Sequence, residues 1–372
     1  MTKAQEIISL MGEIAPVRLA EKWDNVGLQI GDLNNEVEKI LLTLDLNNEV
    51  IDEAVKKSCN MIITHHPVIF NGINSVSSES AVGQMIIRLI KNDIIVFSAH
   101  TNLDIAEEGL NDYICNKLGI KDFQPLDVTQ SENYYKFVVF VPENYIEEIK
   151  SAVYENGGGE IGKYSHSGFY LQGKGSFKPL EGSSPYIGST GKISEVDEIR
   201  LETVVAEDKI DQVLKSVLKV HPYEEVAYDI YKIDRKSKIS GIGRIGYLKE
   251  KILLNDYLNI VKEELNLPYL KFVGNKNKEI KKVAVCNGSG ADLTQKAIYK
   301  GADLYLTGDV KYHEAQYAEE MGLALIDIGH YESEIWVKKL LYQKLTCYAD
   351  KENKKDVEFV ISNINTNPWN YR

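Results

Sequence analysis

The sequence predicts an α/β protein: a duplicated, mainly parallel α/β/α parent domain interrupted by a ferredoxin-like α+β module. Three observations carry this expectation. Short β-branched runs alternate with helical patterns between residues 39 and 111, the same order returns near the C-terminus, and the stretch from about 127 to 235 has a different texture. Strands alternating with helices imply parallel pairing with both sheet faces covered. At 372 residues the chain exceeds one ordinary core, so more than one domain is expected. The expected divisions are 1–126 and 237–372 for the two halves of the parent and 127–236 for the insert.

Taken in order, residues 1–15 read as an amphipathic helix with Ile7, Ile8, Leu10, Met11 and Ile14 on its apolar side. Strands are expected at 40–44, 61–64 and 94–98, with helices at 48–57, 81–91 and 107–117. The C-terminal copy repeats this with strands at 282–286, 304–307 and 324–328 and helices at 291–299 and 312–321. Met61-Ile62-Ile63-Thr64-His65-His66 lies over Leu304-Tyr305-Leu306-Thr307-Gly308-Asp309, and Ser98-Ala99-His100 over Ile328-Gly329-His330. Asp104 then lies over Glu334, each acid four residues beyond its histidine. Within the insert, the strand and helix at 135–141 and 143–154 are echoed at 199–205 and 207–219. Two such halves suggest the ferredoxin-like topology, entering the parent at an exposed loop.

Hydrophobic residues make up 44% and charged residues 26%, the balance of a globular protein, and the formal net charge is −12. That charge argues against a broad nucleic-acid surface, which needs clustered Lys and Arg. No run approaches the ~18 apolar residues of a membrane span, and the N-terminus lacks the apolar core of a signal peptide. A cytoplasmic protein is expected, with no membrane partner. Its four cysteines, Cys59, Cys115, Cys286 and Cys347, include no CxxC pair and read as reduced thiols.

Chemistry concentrates at strand ends. Thr64-His65-His66-Pro67 closes an apolar strand. Adjacent histidines in a strand point to opposite faces, but where the chain turns into a loop both can converge on one site. Taken alone, a pair of surface-loop histidines explains the motif equally well. His100-Thr101-Asn102-Leu103-Asp104 and His330-Tyr331-Glu332-Ser333-Glu334 also follow buried strands. If a helix begins there, residues at i and i+4 share a face. One such pair is ordinarily a helix-surface hydrogen bond; three elements at equivalent strand ends favour a metal site. Imidazole nitrogen mixed with carboxylate oxygen suits Zn, Fe or Mn better than Ca or Mg. Trp23-Asp24-Asn25-Val26-Gly27-Leu28 offers polar groups that serve either such a site or a turn. Gly288-Ser289-Gly290 before a helix could meet an anion at the helix N-terminus, but a plain turn accounts for it better, and His221 reads as structural.

These motifs together resemble the signatures of the NIF-three-like dinuclear-metal proteins, a family labelled GTP cyclohydrolase 1 type 2 homologue. The closing Asn365-Thr366-Asn367-Pro368 fits as well, and the insert is similar to the PII/CutA-like module of longer bacterial members. The resemblance implies two divalent metal ions per subunit, held by His65, His66, Asp104, His330 and Glu334. It places His65 and His330 on one ion, His66 and Asp104 on the other, with Glu334 bridging and His100 close by as a proton carrier or orienting group. It also implies a toroidal homohexamer. Three protein ligands per ion leave a position open for chemistry, and paired ions roughly 3.5–4 Å apart suit hydrolysis. The expected function is a metal-dependent hydrolase of a nucleotide or another phosphorylated or cyclic small molecule. The alternative is a non-enzymatic, metal- or metabolite-responsive regulatory assembly that senses a small molecule through the PII-like insert.

Overall fold

The computed structural model describes residues 2–235, 239–352, 354 and 356–370. It divides into two compact units, Met1–Gln130 with Ser240–Arg372, and Ser131–Ile239. The expected division at 236/237 and the first residue of the expected N-terminal helix lie outside the described residues. The expected division at 126/127 falls within the strand Lys121–Ser131.

The first unit carries two sheets of closely matched order. In one, Gly27–Ile30 runs antiparallel to Ile95–Ser98, followed by Met61–Thr64, Lys39–Thr43 and Glu358–Ile361, all parallel. In the other, Lys271–Val273 runs antiparallel to Ala324–Asp327, followed in parallel by Leu304–Gly308 and Glu279–Ser289. Ile239–Leu253 then pairs antiparallel with Glu279–Ser289, and Lys121–Ser131 closes that edge. The recurrence from residue 61 and residue 304 is therefore a recurrence of topology as well as of sequence. Edge strands Gly27–Ile30, Lys271–Val273 and Glu358–Ile361 escape the sequence reading because each mixes polar or glycine positions with exposed ones and lacks the continuous apolar run of the buried inner strands.

Alternation within the strands builds a core on each face. Ile40, Leu42, Met61, Ile63, Ile95 and Phe97 pack with helices Ala4–Ile14 and Val337–Lys351. Leu41, Ile62 and Val96 turn the other way, onto Asn48–Lys56 and Ala81–Lys91. In the second sheet Val283, Val285, Leu304, Leu306, Ala324 and Ile326 face helix Leu254–Glu264, while Ala284, Tyr305 and Leu325 face Thr294–Tyr299 and Tyr312–Glu320. Each fully buried Ile, Leu or Phe contributes about 1.5–3 kcal/mol, so both strand stacks are rigid platforms for the residues just beyond their carboxyl ends. Helix starts are set locally: the Asn47 side chain accepts from Val50 N (2.9 Å) and Ser80 Oγ from Gly83 N (3.0 Å).

The expected helix at 107–117 is Leu110–Lys117, preceded by a separate five-residue helix Thr101–Ile105. Buried Arg244 fixes the bend between them. It pairs with Asp112 and donates to the carbonyls of Ile105 (3.1 Å) and Ala106 (3.0 Å). The second unit runs strand, helix, strand, strand, helix, strand: Tyr134–Pro142, Ile146–Tyr154, Gly168–Phe177, Ser194–Ala206, Ile210–Val220 and Tyr228–Ile233. Its sheet is antiparallel, with Tyr134–Pro142 and Ser194–Ala206 in the centre. Phe137, Val139, Val141, Leu201 and Val205 form its core with Ile149, Val153, Val213 and Val217 from the two helices. No helix among the described residues is long and apolar enough to cross a membrane.

Candidate metal centre

Six chemistry-bearing side chains meet where the parallel strands of both sheets end. His65 and His66 follow Met61–Thr64, and His100 and Asp104 flank or occupy the helix after Ile95–Ser98. His330 and Glu334 are the first and last residues of the short helix after Ala324–Asp327. Among the described residues three groups could hold a metal ion: His65, Asp104 and Glu334; His66, His330 and Glu334; and His65, His66 and His100, each with donor atoms within 4.8 Å of one another. All five expected ligands are thus brought together. The grouping differs from the one the resemblance implies, because His65 stands with Asp104 and His66 with His330. Anchoring explains it. His65 Nδ1 lies 2.7 Å from the Ala99 carbonyl, on the strand that leads to Asp104, whereas His66 Nδ1 is held 2.6 Å from Asp45 Oδ1.

All four imidazoles follow one rule. His330 Nδ1 lies 2.7 Å from Asp309 Oδ2, and His100 Nδ1 2.9 Å from Asp24 Oδ1. A carbonyl or carboxylate can only accept, so Nδ1 carries the proton in each ring and Nε2 is turned to the centre. Such anchoring orients metal-ligating histidines and raises their basicity. The Nε2 atoms of His66 and His330 stand 2.9 and 3.1 Å from Glu334 Oε2, and that of His65 stands 3.6 Å from Asp104 Oδ1.

The side chains fit a cation. His65 Nε2 and Glu334 Oε2 are buried without a properly directed hydrogen bond among the described residues, a costly state unless another group satisfies them. Burial alone would raise the Glu334 carboxyl, yet the imidazoles of His330, His65 and His66 hold it well below the ordinary carboxylate range. Burial would likewise lower His66 and His330, but Asp45 and Glu334 push the former up to about 10 and Glu334 and Asp309 the latter to about 9. For Asp104, burial dominates and raises the carboxyl despite the opposing pull of His65. The cluster demands positive charge, and protons on the imidazoles are one way to supply it.

Glycine completes the cradle. Gly288 has φ +68°, and a Cβ there would collide with Glu334 Oε1. The motif 288–290 is therefore more than the turn expected from sequence. Gly288 N donates to Ser333 Oγ (2.9 Å), and the Asn287 side-chain amide donates to Asp104 Oδ1 (2.8 Å). Asp24 serves both roles left open for it: Oδ1 anchors His100, while Oδ2 accepts from Thr101 N (3.1 Å) at the start of the short helix. Asp45, Asp309 and Asn287 do not stand out in the sequence. The signal they carry is position, since Asp309 lies under His66 in the repeat and Asp45 sits just past a buried strand. The C-terminal segment braces the same region, with Thr366 Oγ1 donating to Asp45 and the Asn367 amide to Glu332 (3.0 Å).

A family model described as Duf34/NIF3 (NGG1p interacting factor 3) matches residues 2–368. The chain belongs to the Duf34/NIF3 family. A Bacillus subtilis relative named GTP cyclohydrolase 1 type 2 homolog is 40% identical over 367 residues, covering 99% of this chain and 98% of that one. One of the same name from Listeria innocua is 37% identical, with 98% of each chain covered. Among solved family structures, a Bacillus cereus protein related to NIF3 superposes with TM-score 0.88 at 39% identity, covering 100% of this chain and 99% of that one. A Staphylococcus aureus protein gives TM-score 0.82 at 32% identity, with the same coverage.

Proposed function

We propose that the strand-end cluster holds two divalent metal ions bridged by Glu334, and that the chain is a metal-dependent hydrolase of a nucleotide or another phosphorylated or cyclic small molecule. The observation carrying this reading is the Glu334 carboxylate. It is buried and belongs to both mixed imidazole–carboxylate groups, with an oxygen that lacks a directed hydrogen bond. His65 and Asp104 would serve one ion, His66 and His330 the other. Zn, Fe and Mn all suit these donors. When bound, such ions polarise a substrate oxygen and activate water.

The chain's own groups do the rest. Asp45, Asp309 and the Ala99 carbonyl keep the Nε2 lone pairs of His66, His330 and His65 directed inward. His100, held by Asp24, shares its space with His65 and His66 and is placed to move a proton. A recess of about 260 Å³ beside His330 and Asp309 is lined by Lys271, Tyr269 and Trp369; the Lys271 ammonium pairs with Asp327 at 2.6 Å and would exchange that partner for a phosphorylated substrate. The names of the relatives put nucleotides among the first candidates. Three further points belong to the same proposal. The second unit is ferredoxin-like and of PII/CutA type, which its strand–helix order supports; the protein is a toroidal homohexamer; and it works in the cytoplasm, where buried Cys59, Cys115 and Cys286 stay reduced.

The test is elemental analysis of protein purified with its metals, beside a Glu334→Ala variant, and then a screen of both on phosphoesters and nucleotides. Two metals per chain and a turnover that the variant loses at least about 100-fold are expected, since loss even of an outer-shell partner costs 10–100-fold. Absence of stoichiometric transition metal after reconstitution would sink the metal reading. A loaded but inert protein would sink the hydrolase reading and favour the regulatory assembly.

A further inference from the structure

A second cavity, of about 400 Å³, belongs wholly to the Ser131–Ile239 unit. It is lined by the aromatic residues Phe177, Tyr186 and Tyr223 and the acidic residues Glu198, Glu224 and Glu225. Tyr223 forms the corner: its ring centroid lies 6.1 Å from that of Tyr186 and 6.4 Å from that of Phe177, tilted by 47° and 54°. Tyr145 backs Tyr186 edge-on at 5.8 Å. No Lys or Arg lines the space among the described residues. A cation near it, Arg200, is engaged elsewhere, lying 5.9 Å over the Phe140 ring and pairing with Glu202 at 2.8 Å.

We propose that this cavity binds a small quaternary ammonium compound, a ligand class unrelated to the metal centre. Size and composition fit a ligand site: pockets of roughly 300–1,000 Å³ with apolar walls and a few fixed polar groups are the usual form. Sign disfavours the common anionic effectors, because a phosphate entering here would meet a lining with three acidic residues and no Lys or Arg among the described residues. Aromatic faces set at an angle, with anionic groups behind them, attract a cation through the ring quadrupoles. The choice of a quaternary centre over a primary amine rests on the acceptors. Glu198 Oε1 accepts from the Tyr223 hydroxyl (2.8 Å), and Glu224 Oε2 accepts from Ser184 N (2.8 Å). These carboxylates contribute charge, but part of their hydrogen-bonding capacity is already used. A primary ammonium surrenders three hydrogen bonds to water on entry and needs replacements; a methylated one needs only charge and polarisable surface.

Local structure holds the carboxylate in place. Glu198 Oε2 lies against Gly175 on the paired strand, in space that any Cβ at 175 would occupy. Glu224, from the segment after helix Ile210–Val220, ties down the 183–186 loop that carries Tyr186. The aromatic wall and the acidic wall are thus fixed to each other through backbone contacts.

The experiment uses the full chain and three probes, choline, its neutral carbon isostere 3,3-dimethylbutan-1-ol and the primary amine ethanolamine, with binding read by calorimetry and ligand-observed NMR. Choline should bind, and the isostere at least about tenfold more weakly, the range of a desolvated cation–π contact. Tyr186→Leu removes a half-exposed ring, and Glu198→Gln removes charge while keeping an acceptor for Tyr223. Each should weaken choline about 3- to 10-fold, with circular dichroism and metal content unchanged. Equal binding of choline and its isostere, no choline signal with the unaltered chain, tighter binding of ethanolamine than of choline, or indifference to both substitutions overturns the proposal.

Discussion

The two halves of the unit that carries the candidate metal centre use one strand order and mount different chemistry on it. Ladder register sets the correspondence: Thr64 pairs with Ser98 as Thr307 pairs with Asp327, and Leu42 with Ile63 as Val285 with Leu306. His65 and His66 therefore correspond to Gly308 and Asp309; past Val285 the ladder of the second half shifts, so that Ser289 stands opposite Gly308. The first half presents three imidazoles and Asp104, and anchors the rings with Asp45, Asp24 and the Ala99 carbonyl. The second half presents one imidazole, the shared carboxylate Glu334, and empty space at Gly288 and Gly308. A Cβ at 308 would press on the Gly288 carbonyl and the His330 amide, as one at 288 would on Glu334. Duplication supplied the platform; the site needed the copies to diverge, because two sets of paired histidines would overfill the space between them.

The sharpest way to break that account is to fill the space. Gly288→Ala places a methyl where the Glu334 carboxylate lies and imposes a left-handed backbone angle on a residue that resists it. Metal affinity should fall at least about 100-fold, more than loss of an outer-shell partner, while stability falls by only about 1–3 kcal/mol. Calorimetric metal titration beside a denaturant melt separates the two. Unchanged affinity would mean that the empty space in the second half is incidental.

Next in size are the anchors. Asp45→Asn and Asp309→Asn each keep shape and remove the charge that holds a ring. Outer-shell changes of this kind cost about 10–100-fold in metal affinity, and Asp45 should be the more costly because its side chain is the less exposed, 34% against 53%. Both values come from the same titration, and a reversed order would show that the second half is the better anchored.

Much of this architecture is legible in the sequence, for physical reasons. Buried parallel strands are continuous apolar runs, so Met61–Thr64, Ile95–Ser98, Leu304–Gly308 and Ala324–Asp327 stand out, and a histidine or acid just past such a run has few structural reasons to be there. Register is harder. Alignment by sequence sets His100 over His330, but Ala99 N and Ile328 N occupy the same place in the two ladders, donating to Thr64 O (3.0 Å) and Thr307 O (2.8 Å). His100 thus corresponds to Gly329 and Thr101 to His330, and the acids are displaced by one residue between copies. A shared i, i+4 spacing suggests an equivalence that hydrogen bonding does not keep. Gly288 stands in a motif the sequence flags only for a turn or an anion, and its actual role is illegible there because it depends on the approach of Glu334 from a distant helix.

Acidity offers a gentler probe. With only protons as cations, His66 and His330 titrate near 10 and 9, above the roughly 6.5 of an unfolded chain. A raised value means that the imidazolium stabilises the fold fully below about pH 6.5 and that this contribution is lost as pH climbs through 9 to 10. Metal-stripped protein should therefore melt at lower temperature as pH rises across that window. Ligation needs neutral imidazole, so metal uptake at pH 7 should release protons, and apparent affinity should rise with pH over the same range. Calorimetry in buffers of different ionisation enthalpy counts the protons; uptake without release would mean that the rings are already neutral.

The smallest effect on metal binding should come from His100, the imidazole that the second half does not reproduce. Its Nδ1 is fixed by Asp24 and its ring meets Trp23 edge-on at 5.9 Å, yet Glu334 is absent from the group that contains it. His100→Gln should therefore leave metal content within about twofold, because the five shared-carboxylate ligands remain. If the ring moves protons, the variant should lose about 10²–10⁴-fold in turnover, the usual worth of a placed acid–base group, with the pH profile of the residual activity flattened on one limb. Loss of metal together with activity would assign His100 to the ligand set and give the first half a third imidazole in the coordination itself.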